Sequence, residues 1–284
     1  MAPVAVVTDS TANIPAYLAQ DLPIYTVPVK VIWDEKTYLD GIDITPEHFY
    51  HRLRTDPDGA KTSQPSPADF SQIFTKLIDQ GYEILTILVT ARKSGTFNSA
   101  IQASKEVSTA KISIFDSESG SAALAFQVLA SARAAAAGAT LGACRKIAEH
   151  VRAHSHTFFI PGALDSLRRG GRIGSATLFI GSLLNIKPIL SVVNGDIVAA
   201  ERVRTMKHAL TRVVDLVDKR VASSVKITLA GLYADIPEMG ENLLDLAVKR
   251  IGTERIHHSF IATISPALGI HIGPGSVGLA YMWE

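Results

Sequence analysis

Short apolar runs, each too brief for a helix of its own, recur along this chain and are separated by stretches whose apolar positions fall at helical spacing. Val4 to Thr8, Ile84 to Val89 and Ile112 to Phe115 read as strands. Helical patterns lie between them. One opens at Asn13-Ile14-Pro15, one runs from Thr45-Pro46-Glu47 through Phe49 and Leu53, and others cover Pro67 to Gln80 and Thr96 to Val107. Two more follow, Ser121 to Ala137 with Gly138 as its stop and Leu141 to His154. Ile24 to Trp33 reads as one extended segment. Strands alternating with helices predict βαβ units and an α/β, mainly parallel, Rossmann-like sheet.

Beyond a short strand at Thr157 to Pro161 the texture changes. Leu164 to Gly174 mixes arginine with glycine, as a turn between helical pieces does. Ile186 to Val193, then Asn194-Gly195, then Ile197 to Ala200 is a two-residue hairpin signal, so antiparallel pairing enters here. A helix over Thr205 to Asp218, a strand over Val225 to Leu232, a helix over Pro237 to Arg250 and strands near His258 to Ile264 and Val277 to Met282 complete the pattern. The expected organisation is an N-terminal α/β domain over 1–157 and a C-terminal mixed α/β domain over 158–284, with a ligand between them.

Charge narrows the partners. The 284 residues carry 28 Lys and Arg against 27 Asp and Glu, a formal net charge of +1, which offers no nucleic-acid groove and no basic membrane patch. The single cysteine, Cys144, excludes an internal disulfide and a cysteine-rich zinc site and fits a cytoplasmic setting. Met1 to Asp9 reads as a first strand, and the alanine-rich stretch from Ser119 to Gly138 is too weakly apolar to span a membrane, so no stable membrane insertion is expected.

Three hydroxyl- and glycine-rich segments stand apart from the packing pattern: Lys61 to Pro67, Ser94 to Ser99, and Gly269 to Gly275. Ser94 follows a buried strand and precedes a helix, where free N–H groups and the helix dipole favour an anion. The same residue type also serves as a plain helix cap. Thr62 and Ser63 read as a loop whose hydroxyls either satisfy a turn or face the carboxyl edge of the sheet, where Thr8-Asp9-Ser10-Thr11 should converge. His271 sits in a Gly-x-His-x-Gly-Pro-Gly loop and reads either as structural or as functional. Asp9 either caps the first loop or orients a histidine. Arg168, Arg169, Arg172, Arg202 and Arg204 also fit a solvated face or strand ends. Phosphate-loop, dinucleotide, metalloprotease and nucleophile-elbow signatures are missing. A serine-dependent acyl hydrolase or transferase using Ser94 and His271 is the alternative reading.

In order along the chain, these segments resemble the DegV family of bacterial fatty-acid-binding proteins. The likeness rests on Thr8-Asp9-Ser10-Thr11-Ala12-Asn13, Lys61-Thr62-Ser63-Gln64-Pro65-Ser66-Pro67, Ser94-Gly95-Thr96-Phe97 and Leu164 through Ile173. It continues through Leu184 to Leu190, Val203-Arg204-Thr205 and His271-Ile272-Gly273-Pro274-Gly275. The resemblance implies a two-domain fold that holds one long-chain fatty acid, such as palmitate, without metal or other cofactor and without chemistry of its own. Thr62 and Ser94 would hold the carboxylate with His271 close by, Ser63 and Gly95 adjoining them. It further implies a separate fatty acid kinase subunit that phosphorylates the bound carboxylate, with Arg204 and Arg172 at the docking surface. Leu178, Phe179, Ile180 and Leu183 are more apolar than one helix face needs and are expected to line the tail tunnel.

Overall fold

The structure, a computed structural model, describes residues 2–56, 59–107, 111–174, 186–222 and 225–283. Four parallel strands, β1 (Val4–Asp9), β2 (Ile24–Val27), β6 (Glu83–Leu88) and β7 (Ile112–Asp116), form a sheet in the order β2-β1-β6-β7. Strand side chains alternate between faces. Val4 and Val6 on β1 with Leu85 and Ile87 on β6 therefore pack against α5 (Ser121–Ala136) and α6 (Leu141–Ala153). Ala5 and Val7 with Ile84 and Leu88 pack on the other side against α3 (Pro67–Asp79) and α4 (Thr96–Glu106). With both faces covered, the strands are continuously apolar, which is the pattern read from the chain.

The Ile24 to Trp33 segment is not one strand. Pro28, which has no N–H to donate, separates β2 from β3 (Lys30–Trp33), and the chain changes sheets there. β3 pairs antiparallel with β4 (Lys36–Leu39) and β5 (Ala60–Ser63), so Thr62 stands on a strand and not in a loop. The helix α1 (Ala16–Ala19) precedes β2, and α2 (Pro46–Leu53) connects β4 to β5.

The remaining sheet has six strands. β8 (Ser155–Ile160), β9 (Lys187–Val193), β10 (Asp196–Val203), β11 (Ile227–Tyr233), β12 (Ile256–Thr263) and β13 (Val277–Trp283) lie in the order β10-β9-β8-β13-β11-β12. Only β11 and β12 run parallel; the other neighbours are antiparallel. One face, with Ile160, Ile189, Leu229, Leu279 and Tyr281, packs on α8 (Met206–Arg220) and α9 (Pro237–Ile251). The other face, with Ala230, Leu232, Phe260 and Ala280, shares a buried cluster with Trp33, Phe49, Tyr50 and Phe126. That cluster joins residues on both sides of position 157, which itself falls inside β8. The expected hairpin is present: Asn194 (φ 50°) and Gly195 (φ 78°) take the left-handed values its tight turn requires. No helix among the described residues is long and apolar enough to cross a membrane.

Candidate functional site

The parallel strands β1 and β6 end at a cavity of about 130 Å3. Its lining is mostly apolar, including Val29, Val89, Leu167, Val192, Leu268 and Ile272. Thr62, Ser94, Thr11, Lys93, Arg172 and His271 supply the polar groups. Lys93 and Ser94 are neighbours in the loop after β6, and the others each come from a different piece of the fold. Thr11 follows β1 in a 3-10 turn that Asp9 caps, since one Asp9 oxygen accepts from the Thr11 N–H at 3.0 Å and from Thr11 Oγ1 at 2.5 Å. The other Asp9 oxygen accepts from the Val89 N–H at 2.8 Å and so ties the ends of β1 and β6. Burial raises the Asp9 pKa against those three bonds. Asp9 orients no histidine.

His271 does not lie in a loop. It belongs to the last turn of the seven-residue helix α10 (Pro266–Ile272), which Pro266 opens and Gly273 (φ 82°) closes. Gly269, read as a loop former, is a helical glycine pressed on Tyr50, whose hydroxyl would lie 2.4 Å from a Cβ there. The His271 ring reaches Thr62 on β5, with Nε2 and Oγ1 3.0 Å apart. Its Nδ1 is buried without a partner and faces Gly170, the residue after α7 (Leu164–Arg169). Burial first, and the nearby Arg172 guanidinium second, push the His271 pKa down to about 4, so the ring is neutral at pH 7.

Ser94 stands one residue before Gly95, the N-cap of α4. Its hydroxyl accepts from the Thr96 N–H at 3.3 Å and lies 2.8 Å from Thr96 Oγ1. The residue thus satisfies a first-turn N–H of α4 and lines the cavity at once. Ser63, next to Thr62 on β5, has the opposite facing that strand alternation imposes and does not line the cavity. Gly95 lies against the Gln64 side chain instead. Arg172 is drawn into the site wall, where Nε donates to Lys93 O at 3.2 Å and Nη1 donates to Gly170 O. Arg204 is exposed just past β10 and is no part of the cavity. Leu178, Phe179, Ile180 and Leu183 lie outside the described residues.

The geometry lends the hydrolase alternative no support. His271 is bonded to Thr62, Ser94 is bonded to Thr96, and no carboxylate meets His271 Nδ1 to orient it. Among the described residues no three His, Cys, Asp or Glu side chains gather to hold a metal.

Two features of the site escaped the sequence reading. A second, more polar groove of about 350 Å3 contains Lys61, Ser166 and Arg169 and shares Thr62, Arg172 and His271 with the cavity. These three side chains therefore form a partition between an apolar space and a polar one. The tip of the β9–β10 hairpin covers another side: Thr90 Oγ1 donates to Gly195 O at 3.1 Å, and Lys93 pairs with Asp196. A Cβ on Gly195 would lie 2.2 Å from Thr90 Oγ1, so this glycine serves both the turn and the contact. The Asn-Gly pair signalled the turn; nothing in it signalled what the turn touches.

Residues 3–284 match the family described as "Uncharacterised protein, DegV family". A DegV domain-containing protein of Clostridium perfringens (strain 13 / Type A) is 33% identical over 287 residues, covering 99% of each chain. A structure described as fatty acid binding of a DegV family protein from Thermus thermophilus superposes with a TM-score of 0.91 at 27% identity, over 99% of each chain. The structure of DegV, a fatty acid binding protein from Bacillus subtilis, gives 0.89 at 29% identity over 100% of each. With its fold, its ordered motifs and its full-length match in agreement, this chain belongs to the DegV family.

Proposed function

We propose that this protein binds one long-chain fatty acid, of which palmitate is an example, in the cavity bounded by Thr62, Ser94 and His271, and presents its carboxylate there to a separate fatty acid kinase. The observation that carries the reading is the partition. The Thr62 hydroxyl, the Arg172 guanidinium and the neutral His271 imidazole stand where an apolar cavity meets a polar groove, with Ser94 on the cavity side, which suits a molecule with an apolar tail and a polar end.

The hydrogen-bond directions follow from the geometry. A carboxylate only accepts, so Thr62 must donate to it. Thr62 Oγ1 then receives the Nε2–H of His271, which leaves the unpartnered Nδ1 as the bare nitrogen beside Gly170. Ser94, receiving from the Thr96 N–H, turns its own proton to the ligand. Bonds of this charge-assisted kind contribute about 1.5–3 kcal/mol each. Burial of about fourteen methylenes at roughly 0.8 kcal/mol apiece offers about 11 kcal/mol gross, before the cost of association. The tail supplies affinity and the hydroxyls supply orientation.

An apolar cavity of ~150 Å3 holds a benzene, so the space of about 130 Å3 takes the head group and first carbons. A long acyl chain needs more, and its entry must displace lining side chains. From the groove side of the partition, a kinase that transfers a phosphoryl group from ATP would reach the carboxylate held in the cavity, with Arg204 as a contact for that partner. Native mass spectrometry of the purified chain with added palmitate and oleate tests the proposal. A one-to-one adduct is expected; the unliganded mass alone, at saturating lipid, refutes it.

A further inference from the structure

Asp40, directly after β4, is 2% exposed and plays no part in the contacts described so far. Its own N–H donates to Val29 O at 2.9 Å. One carboxylate oxygen accepts from Ser10 Oγ at 2.6 Å and the other accepts from the Ala267 N–H at 3.3 Å. Ser10 Oγ in turn accepts from the Val29 N–H at 3.0 Å. Val29 and Ala267 line the cavity, and Thr11, which follows Ser10, lines it too. A single side chain thus fastens three wall segments from behind: the turn after β1, the approach to β3 and the first turn of α10. That helix contributes Ala267, Leu268, His271 and Ile272 to the lining.

The polar groups bearing on Asp40 are the Ser10 and Ser265 hydroxyls, the Ala267 N–H and the Asp9 carboxylate, none of them cationic. Tyr50, on α2, feels its charge in return. Desolvation raises the Asp40 pKa to about 6. A carboxyl held this way without a counter-ion works against its own burial, and an apolar side chain would fill the space without that opposition. What an apolar side chain lacks is the pair of hydrogen bonds across 30 and 227 residues of sequence.

We propose that Asp40 is a positioning residue for the head-group site: its two bonds set where α10 lies and thereby hold His271 against Thr62. The proposal rests on the fatty-acid reading of that site. Its chemistry is that of a hydrogen-bond frame and not of a charge. When Asp40 takes up a proton, that oxygen donates to Ser10 Oγ while the other, now a carbonyl oxygen, still accepts from the Ala267 N–H. Asparagine has the same pattern of one donor and one acceptor. The two substitutions Asp40→Asn and Asp40→Ala therefore separate the frame from the space it fills.

The experiment uses the full chain at pH 7.5 and reads two quantities: palmitate affinity by calorimetry and the His271 imidazole nitrogen resonances. Asp40→Ala should weaken palmitate about fivefold or more, the loss of roughly one hydrogen bond's contribution, and shift the His271 resonances. Asp40→Asn should stay within about twofold of the parent and leave those resonances in place, a rescue that general destabilisation does not produce. Ser10→Ala, which removes one bond of the frame, should move both readouts in the same direction by less, and it serves should Asp40→Ala not fold. Parent-like affinity in Asp40→Ala, equal losses in Asp40→Ala and Asp40→Asn, or an unmoved His271 in Ser10→Ala each overturns the proposal. If the parent chain binds no palmitate, the function reading fails, while the His271 resonances of the free protein still decide the role of Asp40.

Discussion

Gly170→Ala separates binding from stability in a way the structure specifies. The backbone at Gly170 is right-handed helical (φ −71°, ψ −11°), so alanine fits the chain there, and loss of glycine's freedom in the unfolded state favours folding by about 0.4–1 kcal/mol. The new methyl does not fit its surroundings. It would lie 2.4 Å from His271 Nδ1, 3.2 Å from His271 Cε1 and 3.3 Å from Ser166 O. The imidazole is the part able to move, and moving it breaks the 3.0 Å contact with Thr62. Loss of one hydrogen bond and part of the orientation of another costs about 1–2 kcal/mol of binding, or roughly a 5- to 30-fold rise in Kd. Calorimetric titration with palmitate, paired with urea unfolding of the unliganded chain, reads both quantities. Binding should weaken while the unfolding midpoint holds or rises. Undiminished affinity in the variant would falsify the assignment of His271 as the support for Thr62.

Other outcomes follow from the same contacts. Thr62→Val and Ser94→Ala should each weaken palmitate by about 1.5–3 kcal/mol while the circular dichroism spectrum is kept, and a parent-like Kd in both would place the carboxylate elsewhere. Protons divide the buried groups into two sets. His271 and His156 have pKa values pushed down to about 4 by burial, so the folded chain binds fewer protons than the unfolded chain from about pH 6.5 to 4, and stability should fall as pH drops through that window. Asp40 works in reverse: with its pKa raised to about 6, the folded chain holds an extra proton between about pH 4 and 6. Asp40→Asn should accordingly match the parent near pH 4 and exceed it by up to about 3 kcal/mol at pH 7, as read by urea unfolding across pH; a constant difference contradicts the assignment. On the proposed reading, Arg204→Ala should lower phosphorylation of the bound acid by a kinase partner with palmitate affinity unchanged, and equal loss of both would move Arg204 into the pocket.

Strands buried on both faces announce themselves locally, and the parallel sheet was accordingly legible in Val4 to Thr8 and Ile84 to Val89. The Asn194-Gly195 hairpin was legible for the same kind of reason, because two consecutive left-handed residues are a local demand. Thr62, Ser94 and His271 could be singled out as residues, but their supports could not. The small antiparallel sheet was hidden because Ile24 to Trp33 looks continuous: Pro28 marks the break, but that β3 leaves the parallel sheet is shown only by its pairing with its neighbour β4 and with β5 farther along the chain. α10 was hidden because Gly269 and Gly273 look like loop formers; the first is glycine to admit Tyr50, a contact across more than two hundred residues. Gly170 and Asp40 also act through neighbours outside their own segments, and nothing local distinguishes them from a turn glycine and a surface acid.

The hairpin tip meets the parallel-sheet side through the Thr90 to Gly195 hydrogen bond and the half-exposed Lys93–Asp196 ion pair, and behind them Val192 and Ile197 pack on Phe159, Leu167 and Leu190. The two polar contacts contribute about 1–2 kcal/mol, a modest addition to that packing. On the proposed reading this clasp is one wall of the ligand's cavity, so loosening it should change the rate of ligand exchange more than the stability of the two sheets.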